Sequence, residues 1–217
     1  MTHDRTIIYY TSNRKNPAFT EKTKNVLIAN CGDLPIISVS QKPLDLGKNI
    51  CIGDVGFSYL NAFRQILIGA HEATSEYLVF AEDDFLYPPE YFNAPINHDL
   101  MRYDNVWMVL SRGLYYKTFP IGGAQIARRN YVIKELEYFL QGEPEWANIH
   151  DYRGPVTTRR ILFLVHDVSI PTFAGPPAIT FKPKGNLSGT GSIVGKKIGR
   201  LPIWGDVKEL RSQFNMI

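Results

Sequence analysis

Two kinds of hydrophobic pattern alternate along the first half of the chain. Short runs in which nearly every residue is apolar are typical of buried strands, and apolar residues at every third or fourth position are typical of helices. The strand-type runs are 6–12, 34–40 and 76–81, and the helical segments between them are 16–30 and 56–73. Strand, helix, strand, helix, strand indicates crossover units on a parallel sheet. The pattern therefore predicts an α/β fold.

The second half continues with less regular signals. Residues 105–111 and 114–119 are strand candidates that can pair with each other across Arg112 and Gly113. An amphipathic helix is predicted over 130–142, with Asn130 as its N-cap and Gly142 at its C-terminal end. One more strand is predicted over 177–182, and 156–168 reads as a helix that runs into a strand. The glycine- and serine-rich segment 184–199 predicts a loop.

Composition narrows the class of protein. Hydrophobic residues make up 44% and charged residues 21% of the 217 residues, which is ordinary for a globular domain. The net charge of +3 is too small to indicate a nucleic-acid partner. The N-terminus has no signal-peptide pattern, and no apolar run reaches the roughly 20 residues of a membrane span. We therefore expect no membrane insertion and a cytoplasmic location, the host cytoplasm if the source is viral.

Three consecutive carboxylates, Glu82, Asp83 and Asp84, directly follow the apolar run 76–81. In an open α/β sheet, ligands bind outside the carboxyl ends of the strands, where these side chains are expected. No arginine or lysine lies near them in sequence, and clustered carboxylates suit Mn²⁺ or Mg²⁺. The alternative is a solvated acidic turn that closes a strand.

The run from Asp54 to Pro88, DVGFSYLNAFRQILIGAHEATSEYLVFAEDDFLYP, resembles the core of GT-A fold glycosyltransferases, particularly those related to glycosyltransferase family 2. In these enzymes a strand ends in the DxD motif, for which this chain has the EDD version. The resemblance implies a Rossmann-like GT-A domain with a mixed, mainly parallel sheet flanked by helices. It also implies that Asp84 binds Mn²⁺ or Mg²⁺, with Glu82 and Asp83 contacting the ribose or metal-bound water.

Other segments match the same family. The resemblance implies donor contacts from Thr11, Ser12, Arg14, Asp54, Arg64 and Gly123. The first three lie at the end of the first strand, and Gly123 belongs to FPIGGAQIARRNY (119–131), where a glycine lets the backbone approach the donor sugar. The alternative for these segments is an ordinary polar or glycine turn.

The catalytic residues that the resemblance implies lie later in the chain. An inverting enzyme of this type needs a carboxylate base that deprotonates the acceptor hydroxyl. Asp151 is the candidate and Glu145 the second choice, although each could be a solvated loop residue. His166 is a candidate metal ligand, with a structural histidine as the alternative. The basic segment 184–200 is expected to close over the diphosphate as a lid, unless it is only a surface loop.

These observations predict one GT-A domain over 1–217, with a nucleotide-sugar half (1–112) and an acceptor half (113–217) that includes the lid. The predicted reaction is metal-dependent transfer of a sugar from a UDP-sugar, a hexose or deoxyhexose, to a glycan or glycoprotein. Small virally or bacterially encoded transferases, including capsid-glycosylating domains of the chlorella-virus type, are similar in size. A sugar nucleotidyltransferase and an inactive sugar-binding domain remain open as alternatives.

Overall fold

Three β-sheets, the smallest formed by two short strands, and five helices make up the described part of the computed structural model, which covers residues 4–110, 112–117, 122–148, 150, 170–182 and 195–214. The strands are β1 (Arg5–Thr11), β2 (Ile36–Ser40), β3 (Lys48–Cys51), β4 (Tyr77–Glu82), β5 (Phe85–Leu86), β6 (Leu100–Tyr103), β7 (Val106–Leu110), β8 (Gly113–Tyr116), β9 (Gln125–Arg128), β10 (Thr172–Phe173), β11 (Ala178–Phe181), β12 (Lys197–Ile198), β13 (Arg200–Leu201) and β14 (Gly205–Asp206). The helices are α1 (Pro17–Asn30), α2 (Tyr59–Glu72), α3 (Pro89–Phe92), α4 (Arg129–Leu140) and α5 (Val207–Gln213).

The larger sheet has the strand order β10-β6-β9-β4-β1-β2-β3. Strands β4, β1, β2 and β3 are parallel to one another, whereas β9 is antiparallel to both β4 and β6. The outermost strand, β10, is again parallel to β6. The predicted α/β class, a mixed and mainly parallel sheet flanked by helices, is confirmed.

Helices cover this sheet on both faces. Leu60, Phe63 and Ile66 of α2 pack with α4 against one face, where the side chains of Ile8, Leu78 and Phe80 belong to the same core cluster. Leu27 of α1 joins the core of the opposite face. Helix α1 begins as the sequence predicted, because the Asn16 side chain accepts hydrogen bonds from the first turn and Pro17 occupies its first position.

A smaller sheet, with the order β12-β8-β7-β11-β5, adjoins the carboxylate turn. Strand β5 begins at Phe85, directly after the carboxylates, and pairs antiparallel with β11. The backbone N–H of Phe181 in β11 donates to the carbonyl oxygen of Asp84 at 2.8 Å. This pairing brings the end of β11 to the carboxylates, although the two segments are far apart in sequence.

Most strand and helix predictions are confirmed, including the β7–β8 pair across residue 112. One cap prediction is wrong: α4 begins at Arg129 with Arg128 as its N-cap, so Asn130 lies inside the first turn. The cause is that β9 leads directly into the helix. The short strands β3, β5, β6, β10, β12, β13 and β14 were not predicted, and β12 lies inside the segment 184–199 that was predicted as a loop. Residues 156–168 lie outside the described residues. No helix of the described residues is both long and apolar enough to span a membrane.

Candidate active site at the carboxyl ends of β1 and β4

The order of the main sheet reverses between β1 and β4. From β1 the chain continues to β2 and β3 on one side, and it then returns to β4 on the other side of β1. In doubly wound sheets such a reversal opens a crevice outside the carboxyl ends of the two strands, because the flanking helices lie on opposite faces there. Tyr10 near the end of β1 is in register with Glu82 at the end of β4. The carboxylates therefore follow β4 at this switch point.

Glu82 lies between Tyr10 and Gly123. The Tyr10 hydroxyl donates to Glu82 Oε1 at 2.5 Å. A Cβ atom on Gly123 would lie 2.7 Å from Glu82 Cδ, so only glycine lets the β9 side approach this closely. Burial, with the nearby charge of Asp84, raises the pKa of Glu82 to about 7, although the hydrogen bond from Tyr10 opposes the rise. Near neutral pH this carboxyl is thus partly protonated.

Tyr87 connects Glu82 to Gly123. Its buried hydroxyl accepts a hydrogen bond from the backbone N–H of Glu82 at 2.9 Å and donates one to the carbonyl of Gly123. Its ring stacks on Phe85 and Tyr91, with ring centroids 5.2 and 4.7 Å away. Sequence reasoning missed Tyr87. The only signal was an aromatic residue three positions after the carboxylates.

Asp83 is held by the residues that follow β1. The Thr11 hydroxyl donates to Asp83 Oδ2 at 2.6 Å, and Lys15 Nζ forms a short hydrogen-bonded ion pair with Oδ1. Only 5% of Asp83 is exposed. The Thr23 hydroxyl of α1 also donates to its backbone carbonyl at 3.1 Å. Thr11, predicted to contact the donor, therefore also positions a carboxylate.

Asp84 lies between two lysines. Its Oδ2 is 3.9 Å from Lys15 Nζ and 3.6 Å from Lys182 Nζ, and only 2% of the residue is exposed. Burial opposes the charge on Lys15, but Asp83 and Asp84 outweigh it and raise the pKa of Lys15 above its ordinary value. No basic residue is near the carboxylates in sequence, but two lysines lie near them in the folded chain. Folding brings Lys15 from the β1–α1 turn and Lys182 from the end of β11.

The groups that contact the three carboxylates determine whether the predicted Mn²⁺ or Mg²⁺ can bind there. Such an ion prefers several oxygen ligands, whereas the described carboxylates are engaged by Tyr10, Thr11 and two ammonium groups. Within the described ranges, no three His, Cys, Asp or Glu side chains form a group that could hold a metal ion. The described donor set does not fit a divalent cation in this arrangement. His166 lies outside the described residues, and the metal stays a prediction.

Arg14 and Asp54 form part of the rim near the end of β1. Arg14 Nη2 pairs with Asp54 Oδ1 at 2.9 Å, and its guanidinium lies 5.8 Å from the centre of the Phe57 ring. The structure thus joins two residues predicted to contact the donor. Ser12 precedes them and is half-buried. A left-handed Asn13, which sequence reasoning missed, accepts the backbone N–H groups of residues 41 and 42 and so ties the end of β1 to the end of β2.

Arg64 was predicted to contact the donor, and its hydrogen bonds go to a loop instead. The guanidinium donates to the carbonyls of Glu143 and Pro144 at 2.6–3.0 Å. This loop carries Glu145, which is exposed. No hydrogen bond or ion pair of the described residues links Glu145 to the carboxylates. Asp151 lies outside the described residues, as does most of the predicted lid.

No protein-family model matches this chain, and no curated protein does. Several solved structures are similar at low identity. A glycosyltransferase involved in the glycosylation of the major capsid of PBCV-1 has 13% identity and a TM-score of 0.45 over 79% of this chain and 81% of that one. The inositol-1-phosphate CTP transferase from T. maritima has 12% identity and a TM-score of 0.48, over 81% and 88%. S. aureus TarS 1-349 in complex with UDP-GlcNAc has 11% identity and a TM-score of 0.47, over 84% of this chain and 59% of that one.

The chain spans 59% and 48% of two TarS 1-349 structures and 45% of the bifunctional IspDF from Campylobacter jejuni, which is less than two thirds in each case. The α/β architecture described above follows from the strand order and pairing, without these similarities.

Proposed function

We propose that this protein is a GT-A type glycosyltransferase, related to family 2, that transfers a sugar from a nucleotide-diphosphate sugar to a glycan or glycoprotein. One observation carries the proposal. The switch point between β1 and β4 collects Glu82, Asp83 and Asp84, and with them two lysines and a close-packed glycine. A nucleotide sugar requires partners of these kinds: cations near the phosphates, polar groups near the nucleoside and a closely approaching backbone near the sugar.

The neighbouring residues support an orientation of the donor. The Arg14–Asp54 pair and the Phe57 ring lie beside the end of β1 and can face the nucleoside. Gly123 packs against Glu82 and leaves no side chain between the backbone and the crevice. The donor sugar is proposed to lie there, because Gly123, just before β9, packs directly against the carboxyl group of Glu82.

Several finer predictions accompany the proposal. The donor is proposed to be a UDP-hexose or UDP-deoxyhexose, and Asp151, with Glu145 as second choice, is proposed to deprotonate the acceptor hydroxyl. A viral source and the capsid-glycosylating type remain predictions. They rest on the sequence resemblance alone.

Thermal unfolding with a panel of UDP- and GDP-sugars, each with Mn²⁺ and with EDTA, tests the proposal. A ligand at about 100 times its Kd stabilises the folded state by about 2.7 kcal/mol, which raises the Tm of a chain of this size by about 5–10 °C. Lys182→Met, which removes one of the cations near the phosphates, should reduce the shift, and Asp33→Asn, at an exposed residue, should leave it unchanged. No shift with any sugar nucleotide in either condition would contradict the proposal.

A sugar nucleotidyltransferase is the second candidate, and Lys15 is the observation that favours it. Enzymes of that class carry a glycine-rich, basic loop directly after the first strand. The loop of this chain, TSNRKNP, has no glycine, but its Lys15 reaches the carboxylates. Stabilisation by nucleoside triphosphates, without any response to sugar nucleotides, would identify this function. A response to free sugars alone would indicate an inactive sugar-binding domain.

A further inference from the structure

We propose that Lys15 and Lys182 are the resident cations of this crevice and that a nucleoside diphosphate binds beside them without a divalent metal. The inference rests on the proposed function and changes one part of it. The lysines take the place that the sequence pattern assigned to Mn²⁺ or Mg²⁺.

The first support is the position of the two ammonium groups. Lys15 Nζ is hydrogen-bonded to Asp83 and lies 3.9 Å from Asp84 Oδ2, and Lys182 Nζ lies 3.6 Å from the same oxygen. A divalent ion bound to Asp84 would have to displace or repel both. Because the pairs are largely buried, with lysine side chains 14% and 10% exposed, solvent screens this competition only weakly.

The second support is the backbone that holds the lysines in place. Lys15 lies between the end of β1 and the capped start of α1, and Thr11 of the same turn is hydrogen-bonded to Asp83. Lys182 follows β11, whose Phe181 N–H is hydrogen-bonded to the carbonyl of Asp84. Each lysine is thus fastened through its own backbone segment to the carboxylate turn, as a built-in part of the site.

The third support is the charge that a diphosphate would meet. Asp83 and Asp84 alone would repel its phosphates, and the two ammonium groups offset that repulsion as a bound metal does elsewhere. An ammonium group has three N–H donors, and Lys15 gives one to Asp83. The distance to Asp84 exceeds hydrogen-bond length, so Lys15 keeps donors for phosphate oxygens.

Calorimetric titration of the EDTA-treated protein with UDP, and Mn²⁺ titration followed by electron paramagnetic resonance, test the inference. Wild-type protein should bind UDP in EDTA, and excess Mn²⁺ should change the Kd by less than about threefold. Lys15→Met with Lys182→Met should weaken UDP binding about tenfold or more in EDTA and should tighten Mn²⁺ binding by about tenfold. Lys15→Arg should retain UDP binding, and Lys48→Met, at a surface pair with Glu72, should change neither titration.

A gain in Mn²⁺ affinity distinguishes the proposed competition from unfolding of the variant, because an unfolded variant would lose the binding of both UDP and Mn²⁺. Wild-type protein also tests the inference without any substitution. UDP binding that requires Mn²⁺, or wild-type Mn²⁺ binding with a Kd below about 0.1 mM, would overturn the inference and leave the glycosyltransferase proposal standing. Absence of UDP and sugar-nucleotide binding, with and without Mn²⁺, would overturn both.

Discussion

Replacing Tyr87 by phenylalanine should destabilise the protein although it removes a single oxygen atom. The hydroxyl is the partner of two backbone groups, the N–H of Glu82 and the carbonyl of Gly123. Phenylalanine keeps the stacking on Phe85 and Tyr91 and leaves both groups without this partner. The substitution therefore isolates the hydrogen bonds from the packing.

The magnitude follows from the two groups that lose their partner. A buried polar group left unsatisfied costs about 1–3 kcal/mol, so the loss of the partner of two groups should lower the free energy of unfolding by about 2–6 kcal/mol. Tyr87 is 1% exposed, which leaves little access for a replacing water. The loss also frees Gly123 from the end of β4, so any sugar nucleotide that binds should bind more weakly.

Urea denaturation followed by circular dichroism measures the change. Tyr138→Phe is the matched control, because Tyr138 is 71% exposed and its variant should differ from wild type by less than about 0.5 kcal/mol. A Tyr87→Phe variant as stable as this control would refute the view that the hydroxyl holds the end of β4 to Gly123.

Three further predictions concern the same site. Gly123→Ala should cost about 1–3 kcal/mol, because the new methyl group would overlap Glu82, whereas Gly199→Ala, with open space around it, should be nearly neutral in the same urea experiment. Lys15→Met in EDTA should lower the free energy of unfolding by about 3–5 kcal/mol, because it leaves the charged Asp83 buried without its partner. Adding Asp83→Asn should recover part of this loss. If the losses of the two single variants simply add in the double variant, the two residues do not form a direct pair. Glu82 binds its proton more tightly in the folded state, so its contribution to the free energy of unfolding is complete below pH about 4.5, and about 3 kcal/mol of it is lost as the pH rises to about 7. Glu82→Gln should remove this decline when urea denaturation is repeated across this pH range. An unchanged decline would assign it to other groups.

The sequence by itself determined much of the local structure. Apolar runs identified β1, β2 and β4, and Asn16 with Pro17 identified the start of α1. It also determined that carboxylates follow β4. These features could be predicted because strand and helix periodicity, and helix capping, depend on residues a few positions apart.

The tertiary structure alone decided what surrounds those carboxylates. Lys15 and Lys182 reach Asp84 because β1 pairs with β4 and β11 pairs with β5. The hydrophobic pattern along the sequence does not show which strands pair with each other. Tyr87 meets Gly123 for a similar reason, since β9 is inserted antiparallel beside β4. An acidic run in a sequence has unknown neighbours until strand order and register are known. Here those neighbours are cations, and they change the chemistry expected of the site.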